Sequence, residues 1–122
     1  MLESDLLDAV LALAKVYGFR AVHWRAAKTA HGWRTPVQGD GKGWPDLLLV
    51  KGGRMIAAEL KSDTGRLAPE QRLWLSVLEG AGVETYLWRP SDLQHIADVL
   101  SAKSDHTTSA VSTRRNPAPV GV

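Results

Sequence analysis

Gly43-Trp44-Pro45-Asp46-Leu47-Leu48-Leu49-Val50-Lys51-Gly52-Gly53-Arg54-Met55-Ile56-Ala57-Ala58-Glu59-Leu60-Lys61 is the stretch that decides the fold. Two short apolar runs, Leu47–Val50 and Met55–Ala58, flank a turn built on Gly52-Gly53, which is the pattern of paired, buried strands. The second run carries straight into Glu59-Leu60-Lys61. Ionised side chains are costly away from water unless something compensates them, so charges that end a buried strand need partners. Alternate residues of a strand share a face, so Glu59 and Lys61 point one way and Leu60 points into the core. Asp46 opens the partner strand and can meet them at the same end. Two carboxylates and an ammonium converging there form a divalent-metal site with a cation beside it; the plainer alternative is an ion cluster that closes a sheet end.

Downstream, Ser62-Asp63-Thr64-Gly65-Arg66 reads as a polar turn and Pro69 to Glu79 as a helix, with Leu67, Trp74, Leu75 and Leu78 on its apolar side. Pro69 suits the first helical position, whereas Ala68 is a poor cap. Gln71 falls in the first turn, near the end of the preceding strand. Gly80 and Gly82 stop this helix. Val83 to Trp88 reads as a strand closed by Pro90, and Ser91 or Asp92 caps a last helix with Leu93, Ile96, Ala97 and Leu100 inward.

Upstream, residues 2 to 17 form an amphipathic helix: Leu6, Val10, Leu13 and Tyr17 recur at helical spacing, as do Leu7, Leu11 and Ala14, and Gly18 stops it. Glu3 lies close to the line of Leu7, Val10 and Ala14, on the core side, while Asp5 and Asp8 face away. Glu3 is therefore either a first-turn acid that complements the helix dipole or an additional metal ligand. Phe19 to Trp24 alternates loosely as a first strand. Residues 25 to 42, broken by Gly32, Pro36, Gly39 and Gly41, read as a loop. It carries Arg25, Lys28, Arg34 and Lys42 against Asp40, with Trp24, Trp33, Trp44, His23 and His31 in or beside it. Cations interleaved with aromatics suit phosphate contact and base stacking, against the alternative of a solvated loop whose tryptophans fold back on the core. The histidines read as phosphate or solvent contacts, since none has a second ligand at metal-binding spacing.

The chain of 122 residues holds one domain, read here as residues 1–100, and a Ser/Thr/Ala/Pro tail, 101–122, expected to be disordered. It contains no cysteine, which excludes disulfides and thiolate chemistry and fits a reducing cytosol. Neither a membrane span nor a signal peptide is visible. The net charge of +2 resides in the tail, where Lys103, Arg114 and Arg115 face Asp105. The remainder is balanced, so any nucleic-acid binding must come from a local patch. The element order, helix, strand, hairpin pair, helix, strand, helix, describes an α/β domain with a mixed sheet flanked by helices.

Phosphodiester hydrolysis needs an activated water, neutralised charge on the phosphoryl oxygens and help for the leaving oxygen. Divalent cations held by carboxylates supply all three, and Mg²⁺ prefers carboxylate and water oxygens. Asp46 and Glu59 can hold the ion, with the Leu60 backbone carbonyl as a further ligand. Lys61 can orient the attacking water or steady the pentavalent phosphorus. Gln71 can hydrogen-bond the edge of the site or a backbone phosphate.

Gly43-Trp44-Pro45-Asp46, then Glu59-Leu60-Lys61, then Gly65-Arg66-Leu67-Ala68-Pro69-Glu70-Gln71 together resemble the PD-(D/E)XK nucleases. Among these the chain is similar to the small stand-alone VRR-NUC proteins of phages and bacteria, relatives of Holliday-junction resolvases. The resemblance spans roughly Leu2 to Leu100. It implies a restriction-endonuclease-like core ordered α-β-β-β-α-β-α and a Mg²⁺- or Mn²⁺-dependent DNA endonuclease of the cytoplasm of a bacterium or phage-infected host. It also implies Asp46 and Glu59 as ligands, Lys61 as the catalytic lysine, Gln71 as the helix glutamine and Glu3 as an acid assisting metal binding. A homodimer acting on branched DNA such as a Holliday junction follows from the same resemblance. Arg25, Lys28, Arg34, Lys42, Trp33 and Arg66 are the expected DNA contacts. Two positions depart from the family pattern: Leu7 where a glutamine is common, and Ala68 where serine is common. Two other functions fit the residues: a nuclease that cuts flaps, single strands or duplex without junction preference, and a DNA-binding module that keeps the fold without turnover.

Overall fold

The computed structural model describes residues 3–24, 27–29, 32–34 and 39–102, with the strands at 27–29 and 32–34 described by backbone alone. The expectations for Arg25 and for a disordered tail from residue 103 onward lie outside the described residues.

The chain opens with α1 (Glu3–Val16), followed by β1 (Arg20–His23), β2 (Ala27–Thr29), β3 (Gly32–Arg34), β4 (Leu47–Lys51) and β5 (Arg54–Leu60). Then come α2 (Pro69–Gly80), β6 (Glu84–Trp88), a 3-10 turn (Pro90–Asp92) and α3 (Leu93–Ser101). The main sheet is mixed, in the order β1-β4-β5-β6. β1 pairs with β4 and β4 with β5 antiparallel, while β5 and β6 run parallel, joined across one face by α2. The hairpin expected from Gly52-Gly53 is present: Lys51 faces Arg54 across a two-residue turn in which Gly52 has φ +55°. The segment read as a loop from 25 to 42 instead contains an antiparallel pair, β2 with β3. Strands of three residues are too short to display period-two alternation, so glycine and proline dominate the sequence signal there.

Period-two alternation sorts the sheet residues between two faces. Leu47 and Leu49, Ile56, Ala58 and Leu60, and Tyr86 and Trp88 pack with Leu6, Val10 and Ala14 of α1 and Ile96 and Leu100 of α3 in one core. The opposite face presents Ala57, Glu59, Thr85 and Leu87, all buried, on the two strands that α2 touches. Beyond the reach of α2, Val22, Val50 and Met55 remain exposed.

Two ends of the sheet carry different polar constructions. At one end Arg54 makes a bidentate pair with Glu84, Nε to Oε2 and Nη2 to Oε1, both at 2.8 Å. Its Nη1 donates to the carbonyls of Val99 and Ala102, satisfying the end of α3. At the other end stand His23, Asp46, Leu60 and Trp88, brought together by register alone. Asp92 occupies the N-cap position of α3, but its side chain turns back to accept the Arg89 N–H at 2.8 Å and closes the 3-10 turn instead.

Candidate active site

Asp46 is the residue before β4, and its carboxylate reaches across the hairpin end. Oδ2 accepts the backbone N–H of Leu60 at 2.9 Å, and its own carbonyl accepts the N–H of Trp24 at 3.1 Å. The first bond continues the β4–β5 ladder beyond Leu47 with a side chain in place of a strand residue. Lys61 N–H points the other way, to the carbonyl of Trp88 at 3.0 Å. The peptide between Leu60 and Lys61 is trans, so the Leu60 carbonyl projects opposite that N–H, toward the edge that Asp46 occupies.

Glu59 is 2% exposed, on the face covered by α2. Its Oε2 accepts from Gln71 Nε2 at 2.7 Å and lies 4.0 Å from Lys61 Nζ. Gln71 cannot turn its amide over, because its Oε1 accepts the Ala68 N–H at 2.8 Å. That bond supplies the cap that Ala68, without a side-chain acceptor, leaves open at the start of α2. One glutamine thus anchors the helix and aims a donor at the buried acid. Burial first, and then the nearby Asp46 carboxylate, push the Glu59 carboxyl up to about 9, against the Lys61 ammonium, which pulls it down. Its other oxygen, Oε1, is buried and reached by no donor, while the protonated carboxyl hydrogen-bonds the Asp46 carboxylate.

Glu3, in the first turn of α1, has its carboxyl held above the usual range, by burial first and then by Asp46, with Lys61 opposing. The helix start is within electrostatic reach of Asp46 and Lys61, but Glu3 is exposed rather than turned into the core. Among the described residues, no group of three or more Asp, Glu, His or Cys side chains converges on one metal position. The candidate donors are two carboxylates, Asp46 and Glu59, with the Leu60 carbonyl on the same edge. A buried oxygen that no donor reaches, beside a second carboxylate, fits a hard divalent cation, which would take up the lone pairs and relieve the repulsion together.

The turn after Lys61 is gripped from β6. Arg89 Nη1 donates to the carbonyls of Ser62 and Gly65, at 2.6 and 2.7 Å. Nothing in the sequence marks Arg89 for this role, since a lone arginine after a strand carries no local signal. Gly43 is also set by tertiary contact: at φ +85°, a Cβ there would lie 2.5 Å from the Glu70 backbone, so the segment before Asp46 rests directly on the first turn of α2. Of the expected DNA contacts, Lys42 is 82% exposed and 3.6 Å from Glu70, and Arg66 is exposed. Lys28, Trp33 and Arg34 lie on the β2–β3 pair, and Arg25 lies outside the described residues. His23, half-buried, faces Leu47 with Nδ1 buried and unpartnered.

An Asp from the start of one strand and Glu-x-Lys from the end of its hairpin partner, on a mixed sheet between helices, define a nuclease core of the PD-(D/E)XK type. The family model described as the VRR-NUC domain matches residues 15–92. The chain belongs to the VRR-NUC family, and it carries a nuclease domain. Asp46, Glu59, Lys61 and Gln71 fall inside the matched segment, and Glu3 precedes it. No curated protein and no solved structure matches the chain. Among the described residues, no helix is long and apolar enough to cross a membrane.

Proposed function

We propose that this protein is a DNA endonuclease dependent on Mg²⁺ or Mn²⁺, acting in the cytoplasm. The observation that carries the reading is Glu59: a carboxyl 2% exposed, with one oxygen aimed by Gln71, the other reached by no donor, and Asp46 and Lys61 beside it.

Asp46 and Glu59 would hold the cation, with the Leu60 carbonyl on the same edge. When bound, the cation supplies Lewis-acid charge for the phosphoryl oxygens and a more acidic water. Gln71 keeps Glu59 Oε2 fixed, so the carboxylate does not rotate away from the site. Lys61, its side chain 19% exposed and 4.0 Å from Glu59, would orient a water or meet charge developing on the phosphoryl group. Exposed Arg66 and Lys42, with Lys28 and Arg34 of the β2–β3 pair, would contact backbone phosphates. Substrate preference for branched DNA and assembly as a homodimer follow from the family resemblance and are part of the proposal.

The test is incubation with labelled four-way junction, flap, single strand and duplex in Mg²⁺, Mn²⁺ or EDTA, with Asp46→Asn and Lys61→Ala alongside. Metal-dependent cutting lost in both variants, with DNA binding retained by Lys61→Ala, is the expected result. Binding without cutting in either metal would overturn it in favour of a DNA-binding module. The substrate ranking decides junction preference, and light scattering with and without DNA decides the dimer.

A further inference from the structure

Three of the five tryptophans gather outside the main hydrophobic core, at the end of the sheet that carries Asp46. Trp24 follows β1, Trp44 stands two residues before Asp46, and Trp74 lies on α2 one turn beyond Gln71. Trp24 and Trp44 meet edge to face with ring centroids 5.9 Å apart, and Trp44 and Trp74 do the same at 4.9 Å. All three are half-buried. Trp88, by contrast, is fully buried in the core.

We propose that Trp24, Trp44 and Trp74 form a stacking surface for an unpaired nucleobase beside the cleavage site, so that the protein selects DNA with single-stranded character at the cut. This rests on the nuclease reading given above. Three observations favour a nucleobase as the occupant. The cluster is tied to the site covalently through Trp44-Pro45-Asp46 and by the Trp24 N–H on the Asp46 carbonyl. The cations Lys42, Lys61 and Arg66 belong to the same end of the molecule and suit the phosphates on either side of a base. Indole rings left partly exposed together retain apolar area in water, which a flat aromatic ligand would cover. A base inside a duplex is already stacked on both faces, so only an unpaired base gains from this surface. The cluster also fastens its loop, since Trp74 Nε1 donates to the Asp40 carbonyl at 2.8 Å. That contact serves folding, so the test must separate stacking from packing.

The experiment uses a flap whose unpaired base is 2-aminopurine, whose emission falls when it stacks, together with a matched blunt duplex. In EDTA, the wild type is expected to quench the flap on binding, Trp24→Leu to lose most of the quench, and Trp24→Phe to retain it. In Mg²⁺ or Mn²⁺, the ratio of flap to duplex cleavage is expected to fall about tenfold in Trp24→Leu, within the roughly 5- to 150-fold that one stacked base is worth. Trp24→Phe should restore it. No quench by the wild type, or an equal fall on both substrates in Trp24→Leu, overturns the stacking surface while leaving the nuclease reading intact. Absence of cutting by the wild type in any metal overturns the nuclease reading, and the EDTA quench still decides the stacking.

Discussion

The substitution Glu59→Gln should stabilise the metal-free protein, increasingly so as the pH rises. The side chain is 2% exposed and its carboxyl is pushed up to about 9 in the fold, from 4.5 as the ordinary value. A folded-state value above the unfolded one contributes stability that is complete below pH 4.5 and is lost progressively as the pH rises toward 9. Each pH unit in that window is worth up to about 1.4 kcal/mol. Between pH 5 and pH 7 the wild type should therefore lose on the order of 2–3 kcal/mol through this one group, a sizeable part of the ~5–15 kcal/mol that holds a domain together. The glutamine introduced by the substitution is neutral at every pH, and its carbonyl can still accept from Gln71 Nε2. Urea unfolding in EDTA at pH 5, 6, 7 and 8 measures the difference between the two proteins, which should grow with pH in favour of the variant. At a slope of about 1–2 kcal/mol/M, the gap at pH 7 is a midpoint shift of roughly 1–3 M. A difference that stays flat with pH, or that grows in favour of the wild type, would refute the argument that Glu59 is buried against its charge. Mg²⁺ provides the converse: it should stabilise the wild type alone, more strongly at higher pH, because binding must displace the Glu59 proton.

Gln71→Leu removes both the Ala68 cap and the donor to Glu59; cleavage should fall roughly 10- to 100-fold and stability by about 1–2 kcal/mol, read from single-turnover rates and a thermal melt. Gly43→Ala places a Cβ 2.5 Å from Glu70 at φ +85°, so the loop must lift from α2. A loss of about 1–3 kcal/mol and a changed tryptophan near-ultraviolet spectrum should accompany weaker cutting. Arg54→Met, at the far end of the sheet, leaves Glu84 with the Tyr86 hydroxyl and no cation, frees two carbonyls of the α3 end, and should cost about 3–5 kcal/mol. The double change with Glu84→Leu should recover part of it in a thermodynamic cycle.

Short-range pattern was enough to locate the main elements and the two acids. Leu6, Val10 and Ala14 at helical spacing, the Gly52-Gly53 turn and the alternation of β5 are contained within short windows, so they were legible and the structure has them where expected. The same alternation put Glu59 and Lys61 on one face, where their 4.0 Å approach is found. It could not say that Glu59 is the more buried acid, because burial depends on α2 lying over β5 and β6 rather than over β1 and β4. Nor could it assign Gln71 to both Ala68 and Glu59, since helix docking alone aims its amide across that gap. Arg89, Gly43 and the tryptophan cluster belong to the same class: each joins residues far apart in the chain, over separations at which periodicity carries no information. The three-residue strands β2 and β3 were illegible for the opposite reason, being too short to have a period. Local chemistry singled out the candidate groups. Their protonation, their orientation and their neighbours come from packing between distant segments, because only that packing sets how much water each group keeps and which partners it meets.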